Sequence, residues 1–370
     1  VSDWHREGKS RFRVENAFYR PHSRLARDLA VLAAACYRQQ QGHLRVLDVM
    51  TGSGVRALRY QQEAAADWIW ANEGNPEVGT TLRQNLGQGL RPGSYRITHW
   101  QANRVFCHCY QARDFYDLVD IDCFGSPTPY LSTGLWATRI GGLLYLTNTD
   151  GRTPSGREPG RSLAIYGAYA RAHPAVHEQG LRLMIGATLQ QAATKGLSIE
   201  PVFSLFQGQV HRVMVRLRRQ SWDGKDYGFI GYCPGCGEFQ VVGWRHLNWA
   251  RCPRCVERPL TLSGPQWIGP LHNGAVLQQM RALALAWGWT SVAELLAVMM
   301  AEATMPPYFF PLGEIGRRGK LDIPPRAVLI QALCDRTFRA TATHLDPEAI
   351  KTDASLADCI AIARACRRRH

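Results

Sequence analysis

Residues 44–60 read LRVLDVMTGSGVRALRY, and their order decides how the chain is built. A short apolar run ends in an acid, Asp48. A Gly-rich turn follows, and then a helix-compatible stretch. This strand-loop-helix unit recurs. DWIWANE supplies a second strand ending in Glu73, and NPEVGTTLRQNL a helix opened by Asn75 and Pro76. ITHWQANRVF reads as a third strand and turn, FYDLVDID as a fourth strand, and GGLLYLTNTD as a fifth closing on Asp150. Alternation of this kind predicts a parallel sheet with helices on both faces. Upstream, Leu25, Leu29, Leu32 and Ala33 repeat at helical spacing after Pro21 and His22. Downstream, residues 167–196 read as helix and VFSLFQGQVHRVMVRLRR as a terminal hairpin. The pattern stops near residues 220–231, which places a domain 1–222 before a second domain 223–370.

In such a sheet the ligand crevice lies beyond the carboxyl ends of the strands. The loop from Asp48 to Gly54 lacks the G-x-G-x-x-G of a pyrophosphate binder. Its glycines, Gly52 among them, still allow close backbone approach to a ligand. Acids at two consecutive strand ends suit S-adenosylmethionine: Asp48 near the sulfonium amino acid, Glu73 on the ribose hydroxyls. The alternative is a Gly-rich turn that only packs helix on strand. Farther on, VDIDCFGSP (residues 119–127) sets Asp122 at the end of the fourth strand before an aromatic and a turn. Asp120 shares its face by the period of two, so only strand-end position favours Asp122 as the working carboxylate. A helix cap or a buried ion pair is the competing use. For Asp150 the reading is a cap or brace of its own loop.

Lys plus Arg number 44 against 30 Asp plus Glu, a net charge of +14 that points to a polyanionic partner, nucleic acid before membrane. No apolar run nears the roughly 18 residues of a transmembrane helix, and the polar amino terminus does not read as a signal peptide. The expectation is a soluble, cytoplasmic protein without a membrane or an obligate protein partner. Of eleven cysteines, Cys233, Cys236, Cys252 and Cys255 form C-x2-C-x15-C-x2-C, a spacing that closes a tetrahedral, structural zinc site. Cys107, His108 and Cys109 stand too close together to chelate and read as structural. Candidate phosphate contacts are Arg212, Arg216, Arg218 and Arg219, then Arg317, Arg318 and Lys320, then Arg367 to Arg369. Trp244, Trp249 and Trp267 read as core. Asp346 and Pro347 in THLDPEAIKTDA read as a helix start.

Taken together, FYRP, DVMTGSGVRALRY, ANEGNPE, DIDCFGSP, TNTDG, HEQGLRLMIG, the four cysteines, GPQWIGPL and THLDPEAIKTDA resemble the tRNA guanine-26 N2-dimethyltransferase family over nearly the whole chain. The resemblance implies a class I S-adenosylmethionine-dependent methyltransferase (Rossmann-like) domain, followed by a zinc-containing α/β C-terminal domain that contacts tRNA. It implies one or two methyl groups placed on the exocyclic N2 amine of a guanine, Phe18 and Phe124 sandwiching that base, and Arg27, Arg56 and Glu73 at the cofactor. It puts Gln101 and Ala102 at the adenine, with Gln101 where the family has Asp. Cys123 replaces the family's proline. Asp122 would accept one N–H of the amine and the Cys123 carbonyl the other. Other readings are an amine methyltransferase acting on another nucleic acid, and a zinc-ribbon RNA-binding protein with a weakened methyltransferase fold.

Overall fold

A computed structural model describes residues 4–255 and 258–367. The chain opens with an antiparallel hairpin of β1 (Trp4–Glu7) and β2 (Ser10–Arg13). A 3-10 turn at Pro21–Ser23 leads into α1 (Arg24–Gln41), which stops at Gly42 with φ +76°. Alternation then begins: β3 (Arg45–Asp48), α2 (Val55–Gln62), β4 (Trp68–Asn72), α3 (Gly79–Gly89), β5 (Tyr95–Thr98), α4 (Ala102–Gln111), β6 (Tyr116–Ile121), α5 (Thr128–Ala137) and β7 (Thr138–Asn148). After α6 (Pro159–Tyr166) and α7 (Val176–Ala193) come β8 (Ser198–Gln207) and β9 (Val210–Arg218).

Among the described residues these strands make one seven-stranded sheet in the order β5-β4-β3-β6-β7-β9-β8. The first five are parallel, and β9 runs antiparallel to both its neighbours. The chain starts mid-sheet at β3, winds outward to β5, and returns to β6. The reversal lies between β3 and β6, where Asp48 stands opposite Asp120. Topology thus sets the crevice beside these acids.

The remaining chain forms a sheet of β10 (Tyr227–Tyr232), β11 (Phe239–Val242) and β12 (Thr261–Trp267), with β10 central and a 3-10 turn at Trp244–Trp249. A helical pair, α8 (Gly274–Ala286) and α9 (Thr290–Glu302), comes next. The last elements are β13 (Phe310–Pro311), α10 (Leu312–Gly319), α11 (Arg326–Cys334), β14 (Ala340–Ala342), β15 (Ala349–Thr352) and α12 (Leu356–Arg367). The hydrophobic core continues across both halves. Trp267 joins the cluster on the α7 face of the main sheet, and Leu277 and Met280 join α1 and α2 on the other face. Arg182 on α7 donates to the carbonyls of Trp267 (3.1 Å) and Gly269 (2.8 Å), and Lys351 reaches Glu178 at 2.6 Å. None of the described helices is long and apolar enough to cross a membrane.

Three local expectations change. Residues 102–111 are helix, because Val105, Phe106 and Cys109 share one buried face. The helix expected over residues 167–196 begins only at Val176, and a separate helix, α6, precedes it. Asp346 does cap a turn, accepting from the Glu348 N–H at 2.8 Å, yet the turn leads into β15, paired on both sides by β13 and β14. Long-range pairing overrides the local helix signal there.

Behind the crevice, buried Glu7 accepts from Arg27 Nε (2.7 Å), Arg59 Nη1 (2.9 Å) and Tyr19 Oη (2.9 Å), while Arg59 also binds Asp28 and Glu63. This network ties the hairpin to α1 and α2. Glu7→Ala leaves Arg27 buried without a carboxylate, so it should lower unfolding free energy by about 3–5 kcal/mol, read from urea unfolding followed by circular dichroism.

Candidate functional site

A cavity of about 470 Å³ opens at the strand reversal. Its floor begins with the loop after β3. The Val49 N–H donates to the Asp120 carbonyl (3.2 Å) and the Thr51 N–H to the Asn72 carbonyl (3.0 Å), which holds the loop across neighbouring strand ends. Gly54 has φ +84°, and a Cβ there would meet Leu82 and Leu86 under 3 Å, so only glycine lets this loop close on α3. Glu73 Oε2 accepts from the Gly52 N–H and Oε1 from the Asn75 N–H, both at 2.9 Å. Gly52 and Glu73 therefore sit together on the wall. Asp48 lies beneath, fully buried, holding Thr51 Oγ1 at 2.6 Å. Burial and the neighbouring Asp120 push its carboxyl up.

Period two could not separate Asp120 from Asp122; their surroundings do. Asp120 is sealed under the sheet's end, accepting from Tyr60 Oη (2.6 Å) and Arg56 Nη1 (3.0 Å), and burial with Asp122 nearby raises its carboxyl. Asp122 reaches the cavity and takes Arg56 Nη2 at 2.6 Å. Burial works to raise its carboxyl as well, but Arg56 and then Arg212 outweigh it and hold the group below the ordinary carboxylate value. Asp122 is the ionised acceptor of the pair. The turn after it is pinned from β7: the Gly125 N–H donates to Thr149 Oγ1 (2.7 Å) and the Thr149 N–H to the Gly125 carbonyl (2.9 Å). Cys123 is buried, with its thiol directed at the Thr147 carbonyl (3.4 Å), and burial with Asp122 pushes that thiol up to about 12. Asp150 braces its own loop by accepting from the Arg152 and Thr153 N–H groups.

Two aromatics stand at the mouth. Phe18 is 64% and Phe124 75% exposed, with ring centroids 5.0 Å apart and an edge-on angle of 74°. Exposed phenyl rings at the mouth of the cavity offer a stacking site for a flat ligand. Arg27, Arg56, Gly52, Glu73, Asp122, Phe18 and Phe124 all line the cavity. Gln101 and Ala102 open α4 and stand off this wall, Gln101 exposed. Arg212 corrects an expectation: it faces inward, 3% exposed, and is no surface phosphate contact. Arg216 is half-buried near the Gly141 carbonyl, and Arg218 pairs with Glu200. Alternation told which residues share a side, but not that Ser23 and α1 cover that side.

Cys233, Cys236, Cys252 and Cys255 bring their sulfurs within 4.8 Å of one another. Cys233 and Cys255 are 3.8 Å apart and Cys236 and Cys252 3.4 Å. Arg318 is bound to this knuckle, donating to the Gly235 (2.8 Å) and Pro234 (3.2 Å) carbonyls, so it is not a free phosphate ligand. Trp267 is buried, but Trp244 and Trp249 are exposed, against the reading of all three as core. Trp249 ends the short turn between the two knuckles. Arg368 and Arg369 lie outside the described residues. A second cluster, His272, Glu302 and His344, is a hydrogen-bond clasp. The Ser204 N–H donates to His272 Nδ1 (3.3 Å), and His272 Nε2 faces Glu302 at 3.4 Å.

Residues 5–364 match the family model described as N2,N2-dimethylguanosine tRNA methyltransferase. A tRNA (guanine(26)-N(2))-dimethyltransferase of Aeropyrum pernix is 28% identical over 356 residues, spanning 91% of this chain and 86% of the relative. One from Pyrococcus horikoshii is 27% identical over 376 residues, 94% of each chain. Among solved structures, Trm1 from Pyrococcus horikoshii in complex with S-adenosyl-L-methionine superposes with a TM-score of 0.85 at 25% identity, covering 97% of this chain and 99% of that one.

The buried, weakly acidic Cys123 should resist alkylation. In the folded protein at pH 8, iodoacetamide should label the exposed Cys107 and Cys334 and leave Cys123 unmodified, read by peptide mass spectrometry.

Proposed function

The chain belongs to the N2,N2-dimethylguanosine tRNA methyltransferase family, and on that premise we propose that it is a tRNA (guanine-26-N2)-dimethyltransferase that works at the Asp122 cavity. One observation carries the reading: an ionised Asp122 at the strand reversal, under two exposed phenyl rings. S-adenosylmethionine, when bound, supplies an electrophilic methyl group. The wall residues fit it. Glu73 offers a carboxylate for the ribose hydroxyls, and Gly52 exposes backbone where a side chain would crowd the Phe18 carbonyl. Arg27 and Arg56 lie on the same wall, Asp48 supports the loop through Thr51, and Gln101 with Ala102 would meet the adenine from the start of α4.

The guanine amine is a poor nucleophile because its lone pair is delocalised into the ring. Asp122 accepting one N–H and the Cys123 carbonyl the other would aim that lone pair. Once the nitrogen is alkylated it carries positive charge and is far more acidic than a carboxylic acid. A carboxylate held below its ordinary range can therefore still take the proton. The monomethylated amine keeps one N–H, enough for Asp122 to orient it for a second transfer. A guanine inside a tRNA must be flipped out at a cost of a few kcal/mol. Stacking against Phe18 and Phe124, at roughly 1–3 kcal/mol per aromatic contact, offsets it.

The division at 222/223 separates this transfer half from a half that grips tRNA. The four cysteines suit structural zinc, since bonds of about 2.3 Å in a tetrahedron set sulfurs roughly 3.8 Å apart. With all four positions filled, the metal has no place in the chemistry. It would hold Trp249, 73% exposed, as a stacking platform. Around the cavity mouth, exposed Arg20, Arg152 and Arg157 would meet phosphates.

Asp122→Asn should lower kcat by at least about 100-fold while cofactor and tRNA Kd stay within a few fold. Retention of a tenth of wild-type turnover would remove Asp122 as the acceptor. Because Arg56 and Arg212 hold its carboxyl low, the acid limb of the wild-type rate should appear only below the ordinary carboxylate range, with no loss between about pH 8 and 5. Elemental analysis should find one zinc per chain, and Cys252→Ser should lose it together with thermal stability.

A further inference from the structure

Arg212 differs from the other buried arginines on the cavity wall. Arg27 is matched by Glu7, and Arg56 by Asp120 and Asp122. Arg212 is 3% exposed, donates Nη2 to Ser23 Oγ at 3.1 Å, and leaves Nε without a partner; among the described residues it forms no ion pair. A buried guanidinium with no carboxylate bonded to it is costly, and it persists where an acceptor arrives from outside.

Its position says which acceptor. Asp120 stands opposite Tyr145 and Tyr145 opposite Met214. Two residues on, Thr147 stands opposite Arg212, in the row that continues from Asp122. Glu73 follows β4, on the other side of Asp122 in strand order. A ligand running from Glu73 past Asp122 therefore ends at Arg212. In guanine, N2 and O6 lie at opposite ends of one edge, with N1 between them. With N2 at Asp122, a base laid along the strand ends with this edge toward β7 and β9 brings O6 to Arg212.

We infer that Arg212 donates to O6 of the target guanine and so selects guanine over other purines that carry a 2-amino group. This rests on the assignment of the amine to Asp122. Arginine is a pure donor and O6 a pure acceptor, whereas a 6-amino group would turn donor against donor at a guanidinium only 3% exposed.

The test uses the full-length protein with S-adenosylmethionine and two ligated tRNAs that differ only at the target, guanine or 2,6-diaminopurine. Both have the reacting amine; only guanine has O6. Wild type should prefer guanine by roughly 10- to 100-fold in kcat/KM. Arg212→Met keeps the bulk without the charge and should bring that ratio to about one, with cofactor Kd within about twofold; Arg212→Lys, which keeps one donor, should restore part of the preference. Because Arg212→Met removes a buried charge that no carboxylate binds directly, it should fold, with a melting temperature at or above wild type. A general electrostatic role through Asp122 would slow both substrates equally and leave the ratio at its wild-type value, which overturns the inference. An unchanged ratio with weakened cofactor binding overturns it too, placing Arg212 on the cofactor carboxylate. If wild type methylates guanine without preferring it to diaminopurine, the inference fails while the proposed activity stands. If wild type methylates no guanine at all, the proposed activity itself fails.

Discussion

Three carboxylates, Asp48, Asp120 and Asp122, crowd the seam where β3 and β6 lie side by side, and the Arg56 guanidinium is what makes the crowd tolerable. The charge comes from the first turn of α2, immediately after the Gly-rich loop, so the loop that faces the cavity also delivers the counter-ion beneath it. Arg56 splits the roles of its two partners. Asp120, sealed and bonded to Tyr60, anchors the guanidinium; Asp122, reaching solvent, is the acceptor it keeps ionised.

Other parts of the molecule serve that seam from outside the sheet. The amino-terminal hairpin brings Glu7 behind the cavity, where it fixes Arg27 and, through Tyr19, the segment carrying Phe18. Thr149 on the far side of β6 locks the turn that carries Phe124. The two rings of the mouth thus hang from independent supports. The second half of the chain is anchored to both faces of the sheet, through Arg182, Glu178 and Lys351 on one and through α8 against α1 on the other, so the cysteine knuckles have a rigid base.

The strand-loop-helix frame was legible in the sequence because its signals are local: a run of two faces buried together, glycines at a turn, an acid at a strand end. Glu73 and Asp122 followed from that frame. The features that escaped depend on contacts far apart in the chain. Arg212 looks like a surface cation in VHRVMVRLRR until Ser23, nearly two hundred residues earlier, covers it. Residues 349–352 carry a helix-start pattern and become strand because β13 and β14 flank them. Asp120 and Asp122 are equivalent by periodicity, and burial under Tyr60 against opening to the cavity tells them apart. Trp249 resembles a core indole by type, yet its short turn between knuckles leaves it exposed.

The central claim is that this cavity directs methyl groups to one amine of one base. Nucleoside mass spectrometry with nuclease mapping, applied to unmodified tRNA after incubation with the protein and S-adenosylmethionine, reads reaction, position and methyl count together. The account predicts one or two methyl groups on N2 of guanine 26 and none elsewhere. Methylation of a ring nitrogen, of another base, or of nothing at all by folded protein would contradict it.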